Sequence, residues 1–440
     1  MIYYFPIKIN KNIGSGTLSN YVCLFSDECT TIPATFWDHV VDPNGLDIRF
    51  YDSDWTTELK REIVLFDVSG HKVEAHVQIP ARDVSVDKLI WCHYGGAVVA
   101  NSTDIWTDSD AIDIMHCQDN SDPTFCPNST GNSAGTVNEF GTAQADAIIH
   151  KGYYFDGSTS AQINLVDFAH SGILTVSCWV FLEGNAPSVG KEKILMMDKI
   201  LLSKQSYVLA YTNTGTPGFM FGCLDGGAYH QALMPVSWAE VVNNWHHVAG
   251  VYDGADYKLF IDGVLRSSKT YSIPACEGHC LVGHWPGFSG YNVLGKFDEL
   301  RTYTINKSAD EIATEYANQN DPDTFLTCGL ENAGMIYADY SFVPDNGTGQ
   351  QLFAFFNASD SFQGIISHLW DFGDGTGSSE ENPSKLFGPG RHSVTLTVVG
   401  PDGTASITKE VIVYGVELSY VPDSGPVPLS VRFNSEFTLP

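Results

Sequence analysis

The stretch YKLFIDGVLRSS, residues 257–268, sets an Asp-Gly pair between two runs in which apolar and polar residues alternate. A two-residue Asp-Gly connection suits the turns whose twist matches that of paired strands, so it predicts an antiparallel hairpin. Comparable corners recur at Asp253-Gly254 and Asp374-Gly375. Short alternating pieces bounded by Gly, Asp, Asn or Pro also fill the first third of the chain: IYYFPIKI, YVCLF, DIRFYD, ELKREIVLFD, KVEAHVQIP and KLIWCHYGG. Such a pattern turns one face of each strand inward and predicts antiparallel sandwiches. At 440 residues the chain is too long for one ordinary domain, and the expected fold class is all-β, as tandem β-sandwiches.

Composition narrows the function classes. Hydrophobic residues make up 43% and aromatic residues 12%, enough for packed cores and against a disordered chain. Acidic residues outnumber basic ones 52 to 23, for a net charge of −29. That surface repels nucleic acid and anionic membranes; it suits divalent cations or a salty medium, or serves solubility alone. No apolar run reaches the roughly 18–20 residues that span a bilayer, so no membrane insertion is expected. The opening MIYYFPIKINKNIGSG lacks a basic stretch followed by a long apolar core. It reads as a strand starting almost at Met1, with a signal removed before the numbering or export by another route.

Ten cysteines are scattered without a CxxC pair. Cys23/Cys29, Cys117/Cys126 and Cys276/Cys280 are spaced to close small loops in an oxidising setting, although spacing alone proves no pairing. CEGHCLVGH (Cys276, His279, Cys280, His284) is spaced like a metal knuckle. Its ligands crowd one glycine-containing loop, which favours a loop disulfide or free thiols over zinc.

Four segments follow. Residues 1–145 end in a long connection, about 96–148, rich in Asn, Ser, Thr, Asp and Gly. The order YYFPIKIN, GLDIRFYDSDWTTELKREI, VEAHVQIP, LIWCHYGG and DIMHC resembles an uncharacterised β-sandwich module at the front of modular bacterial and archaeal surface proteins. Residues 146–322 carry GYYFDGSTSAQINL, LTVSCWVFLEG, ILLSKQSYVLAYT, GFMFGCL, WHHVAGVYDGADYKLFIDGVLRSS and YNVLGKFDELRTYTINKSADEIATEY. In register, these resemble the laminin G-like, concanavalin A-like jelly roll. SADEI reads as a capping box, Ser308 with Glu311, that starts a short helix.

Residues 335–415, with SHLWDFGDGTGSSEENPSKLFGPGRHSVTLTVVG, resemble the immunoglobulin-like PKD repeat. The resemblance implies Trp370 as a core plug and Asp374-Gly375 as a turn, with Asp371 and Asp374 capping backbone N–H groups. The family's usual His-Thr-Tyr stands here as Lys385-Leu386-Phe387, which keeps the aromatic plug and weakens a polar role. Residues 416–440 repeat the opening of a second such module. Two strands cannot bury a sandwich core alone, so this segment is expected to pair with the preceding domain or a neighbouring subunit.

For catalysis, no GxSxG, HExxH or phosphate-binding glycine loop occurs. In WHHV, His246 and His247 are adjacent and point to opposite faces of a strand, one packed and one solvated, so they form no dyad. No enzyme is expected. For metal, the jelly-roll resemblance implies one structural Ca2+ at the sandwich rim, with Asp156 in YFDGS and Asp298 in KFDEL as ligands on adjacent first and last strands. Asp298 reads equally as a turn or salt-bridge residue, with Glu299 its exposed neighbour. For ligands, Tyr229, His230, Trp238, Trp285 and Tyr291 lie in turn-rich stretches, where aromatic faces stack on sugar rings. Each reads also as core or as a subunit contact.

Together these features describe a non-enzymatic display or adhesion protein with a glycan or host-surface receptor as partner, alongside other copies of itself or capsid and tail proteins. The expected setting is a virion surface, as a phage decoration or fibre component. The alternatives are a secreted or cell-surface bacterial or archaeal adhesin, and a polysaccharide-degrading enzyme or its carbohydrate-binding accessory.

Overall fold

The structure is a computed structural model. It describes all residues except 1, 12–13, 15, 107–109, 118–124, 131–134, 139–141, 159–160, 169–171, 199–203, 273–277, 286–287, 332–335, 345–346, 362–364, 401–402, 423–430 and 439–440. Alternating strands and Asp-Gly corners build mostly β-structure in two compact units, residues 1–328 and 329–440.

In the first unit, two sheets enclose an N-terminal core. One is ordered Leu326–Cys328, Tyr3–Ile9, Lys88–Tyr94, Arg49–Asp52 and Glu58–Leu59; the other is Thr17–Ser26, Lys72–Asp83 and Arg61–Asp67. Phe5, Ile7 and Ile9 meet Val73, Ala75, Val77 and Ile79 between them. The odd-numbered residues of Lys72–Asp83 thus face this core, and the even-numbered Glu74, His76 and Gln78 point the other way. All three are nonetheless buried.

The jelly roll packs two eight-stranded sheets. One is ordered Ala228–Pro235, Gly218–Asp225, Lys204–Thr212, Glu192–Asp198, Gly278–Val282, Gln162–Phe168, Gly135–Asn138 and Phe125–Cys126. The other is ordered Thr142–Asp146, Lys151–Asp156, Leu294–Tyr303, Leu174–Leu182, Trp245–Tyr252, Asp256–Ile261 and Val264–Thr270, with Ala111–Met115 also pairing Leu294–Tyr303. Leu209, Phe219, Phe221, Val176, Val180, Val248 and Phe297 fill the space between. The Asp262-Gly263 corner joins Ile261 to Val264 with φ of +52° and +75°. Both central residues are left-handed, as the hairpin reading requires.

The boundary expected near residue 145 is not where the structure divides. Ala111–Met115, Gly135–Asn138 and Thr142–Asp146, read as parts of a loop-rich connection, are jelly-roll strands. Beyond the jelly roll, Leu326–Cys328 returns to pair with the first strand, Ile7 opposite Cys328. The capping box forms: the Glu311 N–H donates to Ser308 Oγ, and the Ser308 N–H donates to Glu311 Oε2. It starts the helix Ala309–Asn320. Ile312 packs that helix on Ala249, Val251 and Phe260 of the jelly roll, while Asn318 Oδ1 accepts from the Leu24 N–H and the Tyr21 hydroxyl of the first sandwich. One helix therefore cements both sandwiches.

Cys23 and Cys29 are free, buried thiols; Cys29 Sγ instead lies 3.7 Å from Cys328 Sγ. Cys117 is buried as well, its thiol donating to Met115 O. The side chains of Cys126, His279 and Cys280, and residue Cys276, lie outside the described set, and with them most of the knuckle-like stretch, where a loop disulfide or free thiols were expected over zinc. Its fourth member, His284, is buried with Nδ1 2.7 Å from Asn292 Oδ1. Among the described residues, no helix is long and apolar enough to cross a membrane.

The second unit is a smaller sandwich. Tyr340–Val343, Gln351–Asn357 and Ser384–Phe387 form one sheet; Gly347–Thr348, Gly403–Pro422, Gly390–Gly400, Ser367–Asp371 and Gly377–Ser378 form the other. Trp370 is buried against Tyr340 and Phe355, and its ring N–H donates to Glu380 O. Asp371 accepts the Gly373 N–H and Asp374 accepts the Thr376 N–H. Gly373 and Gly375 are left-handed, φ +74° and +83°. Lys385 does take a polar role, its ammonium 2.7 Å from Asp374 Oδ2. The last segment pairs within the chain: Val431–Thr438 lies antiparallel to the second half of Gly403–Pro422.

Candidate functional site

Strands Glu192–Asp198, Lys204–Thr212, Gly218–Asp225 and Gly278–Val282 carry a second apolar layer on the face turned away from the jelly-roll core: Ile194, Met197, Val208, Ala210, Met220 and Leu281. Tyr229, Trp285 and Tyr291 pack over this floor as half-buried rings. Trp285 and Tyr291 meet edge to face at 4.9 Å, and Phe288, 37% exposed, sits 5.3 Å from Trp285. The Lys191 ammonium lies 4.3 Å from the centre of the Tyr291 ring. Burial and the nearby Glu192 carboxylate push the Tyr229 hydroxyl's pKa well up. The patch thus joins flat, partly exposed rings to a cation and a carboxylate, which is the chemistry of a polar ligand with apolar faces.

Three of the five aromatic positions expected from sequence therefore converge. The other two do not. His230 is next to Tyr229 on a strand, so it faces the opposite side, where it stacks on Tyr271 at 3.6 Å. Trp238 packs on Tyr211 at the jelly-roll core and donates its ring N–H to Gly184 O. Phe288 was missed, although it sits between two expected residues in the same loop.

Asp156 and Asp298 do lie on paired strands, but the register separates them. Asp156 is opposite Leu294 and Tyr153 is opposite Phe297, so Asp298 falls four residue steps from Asp156, about 13 Å. Asp156 is exposed and accepts the Ser158 N–H. It borders the aromatic loop, where the Asn292 side chain donates to Gly157 O. Asp298 is fully buried and accepts the Ile149 N–H. Glu299, read from sequence as its exposed neighbour, is buried too.

The reason is a bulge. Ser177 pairs with Arg301 but Trp179 with Asp298, so Glu299 and Leu300 together oppose Cys178 and one extra residue is inserted there. Glu299 takes up the insertion with φ +48°, a left-handed backbone that a non-glycine residue holds at some cost. Both carboxylates consequently leave the jelly-roll core, and Phe297 and Leu300 on either side remain in it.

Glu299 faces Glu74 and His76 of the first sandwich. His116 Nδ1 is 2.7 Å from Glu299 Oε1 and 3.8 Å from Glu74 Oε1; His76 Nε2 is 3.2 Å from Glu74 Oε1. The two imidazole rings stack at 4.0 Å. His116 Nε2 faces Glu62 Oε2 at 3.6 Å, and the Trp106 ring N–H donates to that same oxygen. Arg301 Nε donates to Glu299 Oε2 at 3.0 Å, and its other arm lies 3.4 Å from Glu315 Oε1. Glu315 also holds Lys307 at 2.8 Å and faces His247 Nε2 at 3.6 Å. His247 is thus the packed member of WHHV; His246 is half-buried on the other face, 3.0 Å from Asp262.

Burial pushes the Glu74 carboxyl well above the carboxylate range, and burial plus Glu299 do the same for Asp298. Burial, aided by His116, holds His76 well below the usual imidazole range. Burial opposes charge on His116 as well, but Glu299 and Glu62 outweigh it and keep that imidazole protonated. Beside the network opens a cleft of about 430 Å³ lined by Trp106, Arg301, Tyr303, Lys307 and Glu315.

Residues 155–313 match the concanavalin A-like lectin/glucanases superfamily, and residues 343–413 match the PKD domain. A microbial collagenase of Vibrio alginolyticus is 40% identical over 112 residues, which is 25% of this chain. The chain spans only 13% of that relative's length. Domain 4 of AbnA, a GH43 extracellular arabinanase from Geobacillus stearothermophilus solved with arabinotriose, is similar at 22% identity and TM-score 0.38, covering 47% of this chain and 98% of its own. The binding domain of botulinum neurotoxin serotype D is similar at 12% identity and TM-score 0.38, covering 75% and 80%. The strand order, the two cores and these matches agree: the chain carries a concanavalin A-like, laminin G-type domain and a PKD domain, together with additional N-terminal β-sheets.

Proposed function

We propose that this is a non-enzymatic, surface-displayed binding protein whose lectin-like domain holds glycan on the Tyr229–Trp285–Tyr291 face. The observation that carries the reading is the convergence of those rings, Tyr229 from the strand Ala228–Pro235 and Trp285 and Tyr291 from the loop after Gly278–Val282, over one apolar floor. Pyranose rings offer apolar C–H faces to the aromatic side chains, while Lys191 and Asp156 stand nearby for hydroxyl groups. Of the settings considered from sequence, secreted or cell-surface display is favoured by a domain pair of this kind. The most crowded carboxylates, Glu74, Asp298 and Glu299, are buried away from this face, which suits holding a saccharide rather than cutting it.

The test is affinity electrophoresis of the full chain through a panel of polysaccharide gels, with reducing ends assayed in parallel. Retention by at least one polysaccharide without release of reducing ends is expected. Trp285→Ala and Tyr291→Ala should lose retention, whereas Asp371→Ala in the second unit should keep it. Undiminished retention in both aromatic variants, or steady release of reducing ends, would overturn the reading.

A further inference from the structure

The Glu74–His76–His116–Glu299 group has the composition and spacing of a metal site. We propose that these four side chains bind one divalent transition-metal ion of the zinc type, and that the ion ties the first sandwich to the jelly roll. This is independent of the glycan reading, since none of the four residues belongs to the aromatic face.

Each residue offers one ligand atom, and the four atoms lie within 4.8 Å of one another. The three measured separations, 2.7, 3.2 and 3.8 Å, bracket the ligand–ligand spacing of about 3.3 Å that a tetrahedral ion with bonds near 2.0–2.1 Å requires. The ligands come from three separate strands or strand ends: Glu74 and His76 two residues apart on one face of Lys72–Asp83, His116 just after Ala111–Met115, and Glu299 at the bulge of Leu294–Tyr303. The left-handed Glu299 is what brings the fourth ligand round, and a strained backbone at a cluster of ligating groups is a feature of functional sites.

A second observation points to a missing ligand. Glu74 Oε2 and His76 Nδ1 are fully buried and have no hydrogen-bond partner. An orphaned buried polar atom costs about 1–3 kcal/mol and calls for an explanation. A metal ion supplies one for Glu74 Oε2 by taking both oxygens of that carboxylate, while His76 binds through Nε2, the atom 3.2 Å from Glu74 Oε1, and keeps its proton on Nδ1.

The surroundings fit as well. In metal sites the ligating imidazole typically presents its second nitrogen to a carboxylate. His116 does so with Glu62, which Trp106 anchors, and Glu299 is held from behind by Arg301. Two imidazoles and two carboxylates suit zinc, or cobalt in its place, and not calcium, which asks for six to eight oxygens. The two glutamate carboxylates offset the ion's two positive charges, so the loaded set of ligands carries no net charge.

The experiment uses the untagged full chain, refolded with zinc chloride, dialysed and measured for bound metal by mass spectrometry. About one equivalent of zinc per chain is expected, with calcium failing to compete. Cobalt chloride should give the visible absorption of a tetrahedral nitrogen–oxygen site. Glu62→Gln should weaken zinc binding about 10–100-fold while leaving the fold intact, and His76→Ala should remove the bound ion. Should His76→Ala fail to fold, Glu74→Gln, which keeps the shape and loses the ligand charge, carries the same expectation. No bound zinc in the refolded parent chain would overturn the proposal. So would a full equivalent retained by both His76→Ala and Glu74→Gln, or octahedral cobalt spectra.

Discussion

Two sets of carboxylates in this protein do opposite things. At the PKD corner, Asp371 and Asp374 are exposed and each accepts a backbone N–H two residues along, with Lys385 closing on Asp374. Between the sandwiches of the first unit, Glu74, Asp298 and Glu299 are buried and take partners from distant strands. The corner acids relieve a local problem, the unpaired N–H groups of a tight turn. The buried acids create a problem, since desolvated charge is costly and is tolerated only while every partner stays in place. A carboxylate's role here follows from whether solvent or a second packed sheet surrounds it.

The sharpest test of that contrast is Glu299→Ala, which takes from the buried Arg301 and His116 the nearest of their carboxylate partners. Removing one member of a buried pair typically costs about 3–5 kcal/mol. Denaturant titration of the full chain should therefore show the transition of residues 1–328 shifted by that order, with the transition of residues 329–440 unmoved. Asp371→Ala is expected to act on the second unit alone, by about 0.5–1.5 kcal/mol for one lost hydrogen bond. An Asp371→Ala effect as large as that of Glu299→Ala would break the comparison.

The smallest expected effect is also the most specific to pH. The Lys385 ammonium, helped by Thr376, lowers the Asp374 carboxyl from 3.8 to about 2. A carboxyl whose folded pKa is depressed adds stability above its unfolded pKa and loses it as pH falls through the folded value. Because the pair is exposed, solvent screening keeps the contribution below about 1 kcal/mol. Melting curves of Asp374→Asn and the parent should thus differ slightly near neutrality and coincide as pH approaches about 2. A gap that widens in acid would contradict this assignment.

The same contrast explains what the sequence revealed. Strand alternation, Asp-Gly hairpins, the Ser308 capping box and the Trp370 plug depend on partners nearby or on a repeating face, and all were legible. The aromatic face was legible in part: Tyr229, Trp285 and Tyr291 meet, but a period of two sends His230 to the other side. The buried cluster was not legible. In KVEAHVQIP, Glu74, His76 and Gln78 alternate with apolar residues as any half-exposed strand would, and only the second sandwich buries their face. One signal was available. In KFDELRTY two successive acids interrupt the alternation, and a strand that must still bury Phe297 and Leu300 has to insert a residue there.

The pairing of Tyr3–Ile9 with Leu326–Cys328 sets a timetable. During synthesis the strand Tyr3–Ile9 lacks one neighbour until more than three hundred further residues have been made. An unsatisfied sheet edge must wait that long, open to wrong partners. Cutting the gene after the first sandwich would remove that neighbour for good, so the opening module has no ready life as a portable part.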